Sequence, residues 1–168
     1  MRKALGFCLS FFFVVFGFCG CGNFIPPEPK KEFNAVADVL YRDMQIVCTV
    51  EQNGINNLLI SVTYPDELRG FSYKWSDGAF RIGYKDLYCE NTTSPLPENS
   101  FANQLGTFLN NLYVENSYTF TEHIEDICKF NYNGADGTEF TVNTNNGEIQ
   151  KIDFGNMTVE FRDYQTGQ

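Results

Sequence analysis

Basic side chains are scarce in this 168-residue sequence, where 12 Lys and Arg stand against 21 Asp and Glu for a net charge of −9. No basic patch is available to displace counterions from a phosphate backbone, so nucleic acid is disfavoured as a partner. Histidine occurs once, at His123. A zinc site needs more ligands than one imidazole, and Glu122, Glu125 and Asp126 do not supply them at these spacings. On a strand Glu122 and His123 point to opposite faces, so this stretch reads as a solvated strand end. The run from Asn131 to Gly137 is rich in Asn, Asp and Gly but lacks the spaced oxygens and final Glu of a calcium loop, and a hairpin turn accounts for it. There is no G-x-S-x-G, no phosphate loop and no Cys/His nucleophile pattern, and the scattered carboxylates form no acid–base pair. The expectation is a protein that is no enzyme and carries no cofactor or metal.

Long apolar runs are also lacking, with one exception. Arg2 and Lys3 precede an uncharged, Phe- and Val-rich stretch from Ala4 to Phe18, the arrangement of a secretory signal. A membrane-spanning helix needs about 20 apolar residues, and this run has about 15. Residues 1–20 are therefore read as a signal peptide. Phe18-Cys19-Gly20-Cys21 resembles a bacterial lipobox, in which a small residue precedes a cysteine that is diacylated and becomes the new N-terminus. Gly20 fits that pattern, whereas Phe18 and Cys19 depart from its usual Leu and Ala or Ser. Cys19 is the rival site, but it would put bulky Phe18 at the cleavage junction. The resemblance implies lipidation of Cys21 and a chain anchored on the outer face of the bacterial cytoplasmic membrane. Residues 21–32, with Pro26, Pro27 and Pro29, read as an extended tether of roughly 3 Å per residue. Losing Arg2 and Lys3 leaves the mature chain still more acidic, so attachment depends on the anchor rather than on a polybasic surface.

About 148 residues remain, enough for one domain with its own core. Cys48, Cys89 and Cys128 are the cysteines left in it, an odd number with no C-x-x-C spacing. All three fall in apparent strands, which favours small buried hydrophobes over one disulfide plus a spare thiol.

Period-two alternation dominates this part of the chain. It runs through Phe33–Val39, Met44–Val50, Leu58–Tyr64, Phe71–Trp75 and Phe80–Tyr84, and resumes from Tyr118 to Phe161. Asn53-Gly54, Asp77-Gly78, Asp136-Gly137 and Asn146-Gly147 mark hairpin turns, the first of them read as type I′. Pro95 and Pro97 interrupt the pattern, Ser100 is placed to cap a helix, and Phe101, Leu105, Phe108, Leu109 and Leu112 then form one apolar stripe. The reading is a mainly β fold (α+β), a curved antiparallel meander of about ten to eleven strands wrapped on one main helix. A single helix is not wide enough to fill such a sheet, which points to a greasy cavity.

The order of elements across 33–164 resembles the LolA/LolB-like superfamily, including lipoprotein carriers and lipid-binding lipoproteins. Carrying the likeness are the Pro65-Asp66-Glu67-Leu68-Arg69-Gly70 break, a Trp-bearing hairpin, one helix and a closing hairpin. Stretches such as Val62-Thr63-Tyr64-Pro65 and Phe71-Ser72-Tyr73-Lys74-Trp75 are closest to lipoproteins of low-GC Gram-positive bacteria. The resemblance implies one domain over 33–168 with a half-open barrel that binds acyl chains on its concave face. It puts Phe101, Leu105 and Phe108 of the helix, with Phe71, Tyr73, Trp75 and Phe80 of the sheet, at a lipid or other hydrophobic ligand. The same aromatics also read as plain core, and an envelope interaction or sensory module without a ligand is the alternative.

Overall fold

Alternation of apolar and polar side chains does build strands. The computed structural model describes residues 24–165, so the proposed signal peptide and Cys21 lie outside the described residues. The first six strands are β1 (Phe33–Tyr41), β2 (Met44–Gln52), β3 (Leu58–Tyr64), β4 (Phe71–Ser76), β5 (Ala79–Tyr84) and β6 (Leu87–Asn91). A helix, α1 (Phe101–Asn111), precedes β7 (Tyr118–Ile124), β8 (Ile127–Tyr132), β9 (Glu139–Asn143), β10 (Ile149–Asp153) and β11 (Met157–Gln165). In β1 the odd-numbered residues Phe33 to Val39 are buried and Asn34, Val36 and Asp38 between them are half-buried, as the period of two requires.

All eleven strands form one antiparallel sheet in the order β6-β5-β4-β3-β2-β1-β11-β10-β9-β8-β7. It is two meanders joined at the centre rather than one continuous meander, because β1 pairs with both β2 and β11. Residues 92–117 must therefore carry the chain from one sheet edge to the other, and α1 lies in that crossing segment. Eleven strands spaced about 4.8 Å apart would span roughly 48 Å if flat. Yet Trp75 of β4 and Phe140 of β9 both touch α1, a cylinder about 10–12 Å across. The sheet is curved around the helix and stays open, a half-barrel.

The turns follow their residues with one correction. Asp77 and Gly78 adopt φ of 53° and 76°, both positive as a type I′ turn demands. The Asn53-Gly54 link is not type I′. Asn53 N–H donates to Asn57 across a longer loop, and the positive φ values fall on Gly54 and Asn56. Gln52 explains the difference, since its buried amide donates to the Gly54 carbonyl at 2.7 Å and holds the chain in the wider path.

The three cysteines are free and do not share one environment. Cys48 and Cys128 are buried core residues of β2 and β8. Cys89 is exposed, a correction to the expectation of three buried hydrophobes. It lies on edge strand β6, which has one neighbour and whose five residues are all exposed. Burial and the Asp38 carboxylate push the Cys48 thiol up to about 12, and burial raises that of Cys128. Since the thiolate is the nucleophile, a maleimide should modify Cys89 and spare the other two in the folded chain. A Cys89→Ser chain that still takes up reagent at its folded rate would contradict this placement.

Candidate ligand cavity

Helix α1 is fixed in place at both ends. Ser100 caps it, its Oγ accepting the Asn103 N–H at 3.4 Å, and Gln104 donates from its side chain to the Asn99 carbonyl at 2.8 Å. The same carbonyl accepts the Tyr41 hydroxyl at 2.8 Å, tying the helix start to β1. At the other end Asn110 Oδ1 accepts the Asn56 N–H at 2.9 Å, and Asn111 Nδ2 donates to the Tyr132 hydroxyl at 2.5 Å.

Between these fixings the expected contact residues divide into two groups. Phe80, Phe101, Leu105 and Phe108 are buried, while Phe71, Tyr73 and Trp75 are half-buried. Phe101 stands edge-on to Tyr73, with ring centroids 5.6 Å apart, and Trp75 stands edge-on to Phe80 at 5.0 Å. The indole lies against Gly106, where a Cβ would come within 2.6 Å of it, so only glycine admits the ring this close. These side chains pack against one another under the first half of the sheet.

Phe108, by contrast, packs under the second half of the sheet. Its ring meets Tyr132, Phe140 and Phe154 edge-on at 5.1, 5.2 and 5.8 Å. Phe108, Tyr132 and Phe154 form the apolar floor of a cavity of about 590 Å³ between the flank of α1 and the β8–β9 loop. Thr107, Ala135 and Thr138 line its walls, and Glu98, Asn103, Gln104 and Asp136 bring polar groups to it. Of the seven residues expected at the ligand, only Phe108 is among the residues lining this cavity. Tyr132 and Phe154 were visible in the strand pattern as core positions. Ala135 and Thr138 carry no sequence signal beyond the turn they occupy.

A further segment of the chain packs against the β9–β10 turn and the segment after α1. Residues 24–32, expected as a tether, lie against the domain as an irregular strap with Pro29 buried. Lys30 N–H donates to the Gly147 carbonyl at 2.7 Å, and the Tyr113 hydroxyl donates to the Lys31 carbonyl at 2.9 Å. Gly147, at φ +73°, lies so close beneath the strap that a Cβ there would come within 2.7 Å of the Glu28 oxygen. Phe24 stacks on His123 with ring centroids 3.9 Å apart. The His123 Nε2 is 2.7 Å from the Glu125 carbonyl, so this histidine closes a strand end. Among the described residues no three His, Cys, Asp or Glu side chains gather as a metal site, and no helix is long and apolar enough to cross a membrane.

No family model matches this chain, and no curated protein matches it. Among solved structures, it is similar to the crystal structure of LolA superfamily protein NE2245 from Nitrosomonas europaea. That likeness has 12% sequence identity and a TM-score of 0.41, and covers 84% of this chain and 88% of the other.

Proposed function

We propose that this chain is an extracytoplasmic lipoprotein, anchored through Cys21 to the outer face of the bacterial cytoplasmic membrane, which binds a lipid, acyl or other hydrophobic ligand without transforming it. The observation that carries the binding is the cavity of about 590 Å³ with its floor of Phe108, Tyr132 and Phe154. Such a volume lies within the range of about 300–1,000 Å³ typical of small-molecule sites, which are mostly apolar with a few polar groups. Affinity would come from apolar burial at about 25 cal/mol per Å², so discrimination among chain types should be weak. Asn103 and Gln104, beside the apolar floor, are placed to meet a polar head.

A ligand-free interaction module is the second reading, and β6 is the observation in its favour. Among the described residues its outer edge pairs with no strand, and its side chains Leu87 and Tyr88 are exposed, a template for another strand.

Ala135→Trp separates the two. Ala135 is exposed, so the substitution should change stability by no more than about 0.5 kcal/mol while its ring enters the cavity. Binding of a fluorescent fatty acid should weaken at least about tenfold, or about 1.4 kcal/mol. Leu87→Glu should leave that binding unchanged. Equal affinity in the Ala135→Trp chain and the unsubstituted chain would remove the cavity from the account.

A further inference from the structure

The end of the sheet where the strap begins carries a cluster of exposed apolar side chains. Ile25 is 83% exposed and Ile124 55%, with Phe24, Phe120 and Ile127 also exposed. Register and ring contacts bring four of them to the β7–β8 hairpin, and Ile25 follows Phe24 in the chain. Ile124 and Ile127 are cross-strand partners at the tip of the β7–β8 hairpin. On the hairpin's other side Phe24 stacks on His123 and tilts toward Phe120, with those centroids 6.0 Å apart. Side chains of this kind, grouped at one edge, mark a contact surface more than a random scatter does.

From this placement we infer that the β7–β8 hairpin tip, with Phe24 and Ile25, rests on the lipid bilayer and sets the orientation of the domain. The inference rests on the reading of Cys21 as the anchored residue. Three peptide steps separate Cys21 from Phe24, so the anchor lies at most about 11 Å from the Phe24 backbone. The strap does not lengthen that reach, because it is pinned to Gly147 and Tyr113. Anchoring at such a distance presents the patch to the bilayer at high effective concentration, so modest apolar contact is enough to orient the domain. Glu122, Glu125 and Asp126 flank the tip and Lys129 stands opposite Glu122, which keeps the contact at the headgroup boundary rather than deep in the acyl region.

The register also places the ligand cavity. The hairpin tip joins the β9–β10 turn through the Thr144 N–H, which donates to the Asp126 carbonyl at 2.9 Å. The β8–β9 loop and Phe154, which line the cavity, are at the opposite ends of their strands. A domain seated on its hairpin tip therefore turns the cavity mouth away from the membrane.

The test uses the full lipidated chain in phosphatidylcholine vesicles whose acyl chains carry bromine. Trp75 is the only tryptophan and is replaced by Phe, and a single Trp is introduced at Ile25, Ile124 or Leu40. Leu40, 54% exposed, matches Ile124 in exposure but lies at the other end of β1, paired near the β10–β11 turn. Ile25→Trp and Ile124→Trp should be quenched at least twofold and shift to the blue on reconstitution, and Leu40→Trp should do neither. Amide exchange of the unsubstituted chain gives a second readout, with protection gained over 118–127 and not over 40–44. Absence of both signals in a chain whose mass shows acylated Cys21 overturns the orientation alone. A chain with no acyl mass overturns the anchor and the orientation together. Blue shifts that grow with protein concentration, without bromine quenching, identify a second copy as the occupant and also overturn it.

Discussion

Phe108→Ala is expected to lower the stability of the domain by about 3–5 kcal/mol, the cost of emptying a buried aromatic site. Phe108 is buried, and its ring is the point at which β8, β9 and the β10–β11 turn reach the helix, through Tyr132, Phe140 and Phe154. Each edge-on pair adds about 0.5–1.5 kcal/mol beyond area burial, and removing the shared ring disrupts all three together. The same ring is floor to the ligand cavity, so its loss also enlarges the void. Denaturant melts should show the midpoint falling with little change in slope. Leu105→Ala, equally buried but remote from the cavity lining, should cost about 2–5 kcal/mol and leave the affinity per folded molecule unchanged. A Phe108→Ala chain that melts like the unsubstituted one would show that the helix does not hold the second half of the sheet.

Cys21→Ala is expected to abolish incorporation of labelled palmitate, and Cys19→Ala to leave it intact. Modification at Cys21 has small Gly20 at the cleavage junction, whereas modification at Cys19 would have Phe18 there. Two acyl chains are the difference between marginal and stable attachment, since each buried methylene contributes about 0.8 kcal/mol. The chain carries a net charge of −9, and cleavage before Cys21 would remove Arg2 and Lys3 and leave no polybasic surface to compensate for losing them. Mass spectrometry of the N-terminal peptide distinguishes the outcomes. Diacylglyceryl mass on Cys19, or on neither cysteine, would withdraw the anchor and the orientation inferred from it.

The parts of the fold that were legible in the sequence are those set by local periodicity. The buried alternation of β1 and the apolar stripe of α1 behind Ser100 each follow from side-chain spacing along one element. The β1–β11 pairing was not legible. It brings Asp38 beside Arg162, a contact between residues 124 apart that no local pattern encodes. Nor was the exposure of Cys89, because an edge strand and a central strand share the same alternation, and only the sheet order separates them. The strap was read from its prolines as a free spacer. An extended, proline-rich segment is equally suited to packing on the domain once Gly147 of the β9–β10 turn leaves room for its backbone. The aromatic residues were recognised as a group, but their division into packed core and cavity floor depends on where the helix lies within the curve. Phe108 and Tyr132 serve both.

The most direct measurement of the central claim is native mass spectrometry of the domain lacking Met1 to Cys21, purified from cells without detergent. Bound apolar material that leaves on denaturation, and that is absent from the Ala135→Trp chain, is the predicted result. A single apo mass for both chains, with no uptake of an added fatty acid, would contradict the assignment of a ligand to the cavity beside α1.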